Sequence, residues 1–238
     1  ALKGVNVKQV ICGTLHNLVI DDKGAVYSWG SGHYAQHGQG IPDLITKPTP
    51  VKALEDRVVV MAAAGLYHSV VITKENEVLY FGGHKSKTPG ANMHRMNFFL
   101  KPTPLQGVDL ALPDEQWTYL TAGITHNVIH SNKGRTFAWG QNTSEAVGNA
   151  TSTFERAVRL EQLDGVTFEA LASGSYHNLG YDSNGNIWGW GQGSDYQLSN
   201  DRKNVPVPTK LDLGLPSHLK IQQIAAGWAH TLIIAVPK

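Results

Sequence analysis

The sequence repeats one short motif five times, and this repetition restricts the chain to a small number of folds. A glycine is followed three residues later by a histidine, and successive histidines lie 52, 58, 51 and 53 residues apart. An aromatic residue followed by glycine comes 13 residues after each of the first four histidines. A period near 50 residues indicates a repeat protein whose units pack on their neighbours. The motif residues are Gly13, His16, Gly65, His68, Gly123, His126, Gly174, His177, Gly227 and His230, and the aromatic residues are Trp29, Phe81, Trp139 and Trp190.

Each unit alternates short apolar stretches with turns rich in Asp, Asn and Gly, such as residues 21–24 and 184–186. These residues favour tight hairpins, so each unit is expected to hold about four strands of about five residues. The strands are apolar at consecutive positions, which indicates sheets covered on both faces. The sequence therefore predicts an all-β protein, a β-propeller of four-stranded blades. Residues 1–238 are expected to form one array, with approximate repeats 7–57, 58–114, 115–165, 166–215 and a partial repeat 216–238.

The composition argues against a nucleic-acid-binding protein and against a membrane-spanning protein. The formal net charge of +1 gives no overall field that would attract nucleic acid or anionic lipid. No apolar run approaches the roughly 18 residues that a membrane-spanning helix needs. One cysteine, Cys12, excludes an intramolecular disulfide and fits a reducing intracellular compartment: the cytoplasm or nucleus, with the mitochondrion as an alternative.

The 11 histidines suggest a metal site, but the repeat explains five of them. Copies of one residue on separate blades cannot share one ion, so each imidazole is expected to bond backbone within its own blade and fix a turn. The aromatic set is expected to form core between blades. The sequence contains neither a phosphate-binding loop nor a nucleophile elbow. We therefore assign no catalytic, cofactor-binding or metal-binding residue and expect a protein that is not an enzyme.

The second unit departs most from the repeat. It is the longest, Phe81 replaces the Trp of the other units, and residues 84–101 combine basic side chains with Met and Phe. That composition suits contact with another protein. The alternative is that residues 98–100 only cap the neighbouring blade. The expected partner-binding residues are His84, Lys85, Lys87, His94, Arg95, Met96, Phe98 and Phe99.

Together with a fourth element, the motifs resemble a known repeat. Six to nine residues after the Trp comes a degraded Gly-Gln-Leu-Gly element, at residues 35–38, 87–90, 145–148 and 196–199. The full combination is similar to the regulator of chromosome condensation repeat. This resemblance implies a β-propeller, usually of seven blades. The motifs here account for four blades and part of a fifth, so a partial or incomplete propeller is expected.

Three functions remain open. The leading one is a non-enzymatic interaction module, or scaffold subunit of a multiprotein complex, that binds protein partners through loops. The resemblance implies a second, because some family members promote guanine-nucleotide exchange on a small GTPase. The exchange residues of those members cannot be matched here residue by residue. The third is an inhibitor that plugs an enzyme with its loops, and direct nucleic-acid contact is disfavoured.

Overall fold

The computed structural model describes residues 2–85, 96–108, 112–149, 156–199 and 201–238. These residues form two compact units, Ala1–Leu105 and Gln106–Lys238. Helical conformation in the described residues is limited to three short 3₁₀ turns, at Lys52–Leu54, Thr143–Glu145 and Glu161–Leu163. The predicted all-β fold class is confirmed.

The first unit contains two four-stranded sheets, each an antiparallel meander in chain order. Blade 1 consists of β1 (Val7–Cys12), β2 (His16–Asp21), β3 (Val26–Gly30) and β4 (Ile45–Pro50). Blade 2 consists of β5 (Val59–Ala64), β6 (His68–Thr73), β7 (Val78–Lys85) and β8 (Met96–Pro104).

The second unit contains two four-stranded sheets and one sheet of two strands. Blade 3 consists of β9 (Trp117–Ala122), β10 (His126–Ser131), β11 (Thr136–Gly140) and β12 (Val158–Arg159). Blade 4 consists of β13 (Phe168–Ser173), β14 (His177–Asp182), β15 (Ile187–Gly191) and β16 (Val205–Leu211). The fifth sheet pairs β17 (Leu219–Ala226) with β18 (Thr231–Pro237).

The strand register brings the two sequence motifs together. The repeated histidine begins the second strand of a blade and lies opposite the glycine that ends the third strand, as in the pairs His16–Gly30 and His177–Gly191. The first strand carries a bulge at the same place in several blades, for example between Val59 and Met61. A bulge shifts the alternation of side chains by one residue. This shift contributes to the runs of consecutive apolar residues in the sequence.

Within each unit the core lies between neighbouring blades. Leu18 and Ile20 of blade 1 belong to one buried cluster with Val59 and Ala62 of blade 2. In the second unit, Leu179 and Tyr181 of blade 4 cluster with Ile224 of the fifth sheet. The second and fourth residues after His16 and after His177 therefore face the next blade.

Candidate protein-interaction site

The Gly-x-x-His motif closes the turn between the first and second strands. In all five copies the glycine N–H donates to the carbonyl oxygen of the histidine, over 2.8 to 2.9 Å. Glycine is required because a Cβ at Gly174 would lie 2.2 Å from Cε1 of His177 and 2.5 Å from the carbonyl oxygen of Gly227. Close approach, and not a positive φ, is the reason for glycine at this position.

The imidazoles bond across to the neighbouring blade. Nε2 of His16 lies 2.7 Å from Oγ of Ser69, and Nε2 of His126 lies 2.9 Å from Oδ1 of Asn178. Nε2 of His177 contacts Oγ1 of Thr231 at 3.2 Å. We expected each imidazole to hydrogen-bond to backbone within its own blade. For Nε2 this prediction is wrong, because the ring faces the next blade. We call each such pair a His joint.

Each joint continues into the loop after the third strand. Ser69 donates to the carbonyl of Gln36 over 2.7 Å, and Thr231 donates to the carbonyl of Gln197 over 2.9 Å. Both hydroxyl protons are thereby used, so each imidazole must donate its Nε2–H to the hydroxyl oxygen. The joint thus fixes the tautomer of the histidine and ties two blades to one loop.

Sequence reasoning missed the partner residue of this joint. The position after each repeated histidine is polar in all five copies, and that regularity was visible in the sequence. These residues are Asn17, Ser69, Asn127, Asn178 and Thr231.

Burial keeps the imidazoles of His16 and His177 neutral. It lowers the pKa of His16 to about 3, helped by the nearby His68 and His37. Burial and then the charge of His230 lower the pKa of His177 to about 4. A neutral ring is what the joint needs at His16 and His177, because a second ring proton at the buried Nδ1 would meet no acceptor among the described residues. The histidines therefore act as structural hydrogen-bond donors at neutral pH.

Three of the four repeated aromatic residues lie in the core. Phe81, Trp139 and Trp190 are buried, whereas Trp29 is only partly buried. Phe81 packs against the loop glycine of the preceding blade, where a Cβ on Gly38 would lie 2.8 Å from the Phe81 ring. Gly38 also has a φ of 69°, so both its space and its backbone conformation favour glycine.

Blade 3 contains a buried ion pair outside the repeat motifs. Arg135 Nε donates to Glu115 Oε1 over 2.8 Å, and Ser131 Oγ donates to the same oxygen over 2.6 Å. Burial acts to raise the pKa of Glu115, but the hydrogen bonds from Arg135 and Ser131 outweigh it, so the pKa lies below its ordinary value. The pair holds the entry to β9 against the β10–β11 turn. The ion pair therefore stabilises a single blade.

Among the described residues, no group of three or more His, Cys, Asp or Glu side chains could hold a metal ion. In the same part of the chain, no helix is long and apolar enough to cross a membrane.

The structure places five of the eight expected partner-binding residues in one hairpin. His84 and Lys85 lie at the end of β7, and Met96, Phe98 and Phe99 lie in β8. Lys87, His94 and Arg95 lie outside the described residues. The ring of Phe99 packs on Tyr80 with centroids 4.5 Å apart, which is a contact within blade 2. Partner binding by these residues stays a prediction.

This hairpin is longer than its counterparts. β3, β11 and β15 end at the glycine after the aromatic residue, whereas β7 continues three residues past Gly82. β8 pairs with that extension, with Gly83 opposite Phe98 and Lys85 opposite Met96. Beside it lies an open cleft of about 360 Å³ lined by Gly38, Gln39, Lys52, Ala53 and Lys101. Blade 2, which departs most from the repeat in sequence, therefore also differs from the other blades in the length of its third strand.

Two family models match the chain, and both are described as the regulator of chromosome condensation (RCC1) repeat. One matches residues 23–72 and 184–234, and the other matches residues 7–36 and 168–197. Together they cover more than half of the chain. This protein belongs to the RCC1 repeat family. The resemblance read from the motifs is confirmed.

Relatives of this RCC1 repeat chain are named for different functions. The Arabidopsis thaliana ultraviolet-B receptor UVR8 is 24% identical over 235 residues, covering 98% of this chain and 52% of the receptor. The mouse protein named secretion-regulating guanine nucleotide exchange factor is 26% identical over 257 residues, covering 95% of this chain and 54% of that protein. The chain spans about half the length of these relatives.

Solved structures confirm the β-propeller fold. Human WBSCR16 superposes with a TM-score of 0.77 at 18% identity, covering 97% of this chain and 58% of that chain. Saccharomyces cerevisiae Prp20p, a protein with described binding properties to Gsp1p and histones, also has a TM-score of 0.77, at 23% identity. It covers 98% of this chain, which in turn spans 57% of Prp20p. At these identities the likeness establishes the fold and not the function.

Proposed function

We propose that this chain is a non-enzymatic protein-interaction module of a larger assembly, with the extended β7–β8 hairpin and the adjacent basic cleft as its partner contact. The observation that carries the proposal is the extension of β7 past Gly82, where the other third strands end. A repeat scaffold is held by features shared between blades, so a feature confined to one blade is a candidate for binding.

The chemistry of the cleft favours an acidic partner segment. Lys52 and Lys101 line it and are exposed, and no carboxylate among the described residues lines it. Gln39 at its base is already held, because its Nε2 donates to Ser28 Oγ over 2.9 Å and to the carbonyl of Thr49 over 3.0 Å. Within the described part of the chain, the two lysines are therefore the charged side chains of the cleft. Such rim charges mainly set association rate and orientation.

Charge reversal tests the proposal. A Lys52→Glu, Lys101→Glu double variant is expected to recover about tenfold less partner from native extract, as quantified by mass spectrometry. The matched control is Lys74→Glu, Lys133→Glu, which reverses two exposed lysines at hairpin turns. Equal recovery by the two double variants would exclude the cleft as the partner contact. Thermal unfolding of both variants checks that the fold is retained.

Guanine-nucleotide exchange on a small GTPase is the second candidate. The specific observation in its favour is the mouse relative named as a guanine nucleotide exchange factor, which matches over 95% of this chain. An exchange factor forms no covalent bond and acts by binding the nucleotide-free GTPase more tightly than the nucleotide-bound one.

Release of a fluorescent GDP analogue from a panel of small GTPases tests this second function. Acceleration by several orders of magnitude at micromolar protein would establish exchange activity. Unchanged release across the panel leaves the interaction module as the function of this chain. We place that function in a reducing intracellular compartment, because the only cysteine, Cys12, is exposed and free.

A further inference from the structure

The side-chain amide of Gln39 is held in one orientation where it lines the basic cleft. Its Nε2 donates to Oγ of Ser28 over 2.9 Å and to the carbonyl oxygen of Thr49 over 3.0 Å. The hydroxyl proton of Ser28 is already used, because Ser28 donates to the carbonyl oxygen of His37 over 2.7 Å. Ser28 and Thr49 can therefore only accept from the amide, so its NH₂ group must face both of them.

This orientation leaves the amide oxygen of Gln39 open to solvent. Oε1 forms no hydrogen bond with the described residues, and it is not among the buried side-chain atoms that lack a partner in that part of the chain. The cleft therefore presents a fixed hydrogen-bond acceptor beside the two positive charges of its lysines. Because the amide is held before any ligand binds, little conformational freedom is lost when Oε1 accepts a bond.

The backbone on either side of Gln39 offers no donor to the cleft. The N–H groups of residues 38–40 are all used inside the protein, with acceptors on Ala35, His37 and Leu100. An anion in the cleft would therefore meet the lysine ammonium groups but no N–H from this stretch, and Oε1 would repel its oxygen atoms. A ligand that fits the whole cleft must carry both negative charge and a hydrogen-bond donor.

We propose that Gln39 makes the cleft selective for peptide: its Oε1 accepts a hydrogen bond from a backbone N–H of an acidic partner segment, whose carboxylates pair with Lys52 and Lys101. This inference rests on the interaction function proposed for the cleft and names the group that the partner must supply. An acidic peptide has both features, since each residue other than proline has a backbone N–H beside its acidic side chain. The phosphates of a nucleic acid offer acceptors only.

Two labelled peptides of equal charge test the proposal. One is hexaglutamate with an amino-terminal fluorescein, and the other is the same peptide with every backbone nitrogen methylated, which removes the donors. Fluorescence anisotropy should show that the unaltered protein binds hexaglutamate at least about fivefold more tightly, the effect of one lost hydrogen bond. Equal affinities for the two peptides would overturn the role of Gln39.

The variant Gln39→Met should remove this preference, because its side chain has a similar length but only a weak acceptor. The two peptides should bind this variant within about twofold of each other. Ser28→Ala is the matched control, since it removes one bond of the Gln39 amide and retains Oε1. The preference should persist in that control. A preference that persists in Gln39→Met, or that is lost equally in both variants, would overturn the proposal.

Charge reversal separates this inference from the interaction function on which it rests. Lys52→Glu, Lys101→Glu should weaken binding of both peptides by at least about tenfold. If that loss is seen but the unaltered protein binds both peptides equally, the cleft binds acidic segments and only the role of Gln39 fails. If neither peptide binds the unaltered protein below about 1 mM, the acidic-peptide site fails as well.

A nucleic acid is the competing occupant of a basic cleft. A labelled hexathymidylate strand should bind the unaltered protein more weakly than hexaglutamate, because it presents only acceptors to Oε1 of Gln39. Tighter binding of the strand than of hexaglutamate would make nucleic acid the occupant and overturn the proposal. Thermal unfolding of all variants checks that the fold is retained.

Discussion

His126 donates its Nε2–H to Oδ1 of Asn178 over 2.9 Å, and both side chains are buried between blades 3 and 4. The same oxygen accepts a bond from Ser173, and the Asn178 amide donates to the carbonyl of Ala146 over 2.7 Å. One side chain thus connects a strand end, a neighbouring blade and a loop. The repeated histidine is a joint between blades, and its partner is as regular in the chain as the histidine itself.

Loss of this joint should destabilise the protein strongly. Asn178→Leu removes the acceptor of His126 and leaves the carbonyl of Ala146 without its donor, so two buried polar groups lose their partner. We expect the free energy of unfolding to fall by about 2 to 4 kcal/mol in urea titrations. The control is Asn17→Leu at the same repeat position, where the side chain is only partly buried. A loss there as large as at Asn178 would contradict the role of the joint.

Substitutions at two glycines distinguish steric crowding from backbone strain as causes of lost stability. Gly174→Ala places a Cβ 2.2 Å from the His177 ring at an ordinary φ, and we expect a loss of about 3 kcal/mol or more. Gly185 has a φ of 79°, but a Cβ added there would meet no atom within 4 Å. Gly185→Ala should therefore cost only the backbone strain of about 1 kcal/mol. Equal losses in chemical denaturation would show that crowding at the motif is relieved by small shifts.

Stability should fall as the pH drops from 6.5 toward 4. Burial lowers the pKa of His16 to about 3 and that of His130 and His177 to about 4, in the last case with the charge of His230 as a smaller cause. The unfolded chain therefore takes up protons that the folded chain does not, and stability is fully present only above pH 6.5. Each histidine contributes up to about 1.4 kcal/mol per pH unit in this window.

The variant His130→Ile isolates one of these contributions. Blades 1 and 2 carry Ile20 and Ile72 at this repeat position, so the side chain suits the site. Urea titrations between pH 5 and 7 should show about one third less pH dependence than the unaltered protein. An unchanged slope would mean that His130 titrates alike in both states.

The ion pair of blade 3 should matter more than a comparable surface pair. Glu115→Ala leaves the buried guanidinium of Arg135 without its carboxylate, which typically costs about 3 to 5 kcal/mol. Glu77→Ala removes the partner of Arg57 in a surface ion pair, in which the Arg57 and Glu77 side chains are 38% and 45% exposed. This change should lower the free energy of unfolding by at most about 1 kcal/mol. Thermal unfolding of both variants compares them. Similar losses would contradict the burial argument.

The repeat in the sequence was sufficient to predict the blades. Five copies of Gly-x-x-His in phase with an aromatic-Gly pair require that each copy have the same local structure, and the turns at Asp21 and Asp182 follow from their Asp, Asn and Gly residues. Periodicity also showed that the five histidines could not share one metal ion. These inferences need only the chain order, because the strands of a blade are consecutive in sequence.

Packing between blades depended on tertiary structure. The joint from His16 to Ser69 spans 53 residues, and the sequence alone does not tell which polar group a buried imidazole will meet. The same is true of Phe99, whose contact with Tyr80 follows from the register of β7 and β8. Local preferences determine strands and turns from neighbouring residues, whereas the contacts between blades depend on how whole sheets stack. The sequence therefore determined the repeated unit and its family, and only the folded chain decided which side chains join one blade to the next.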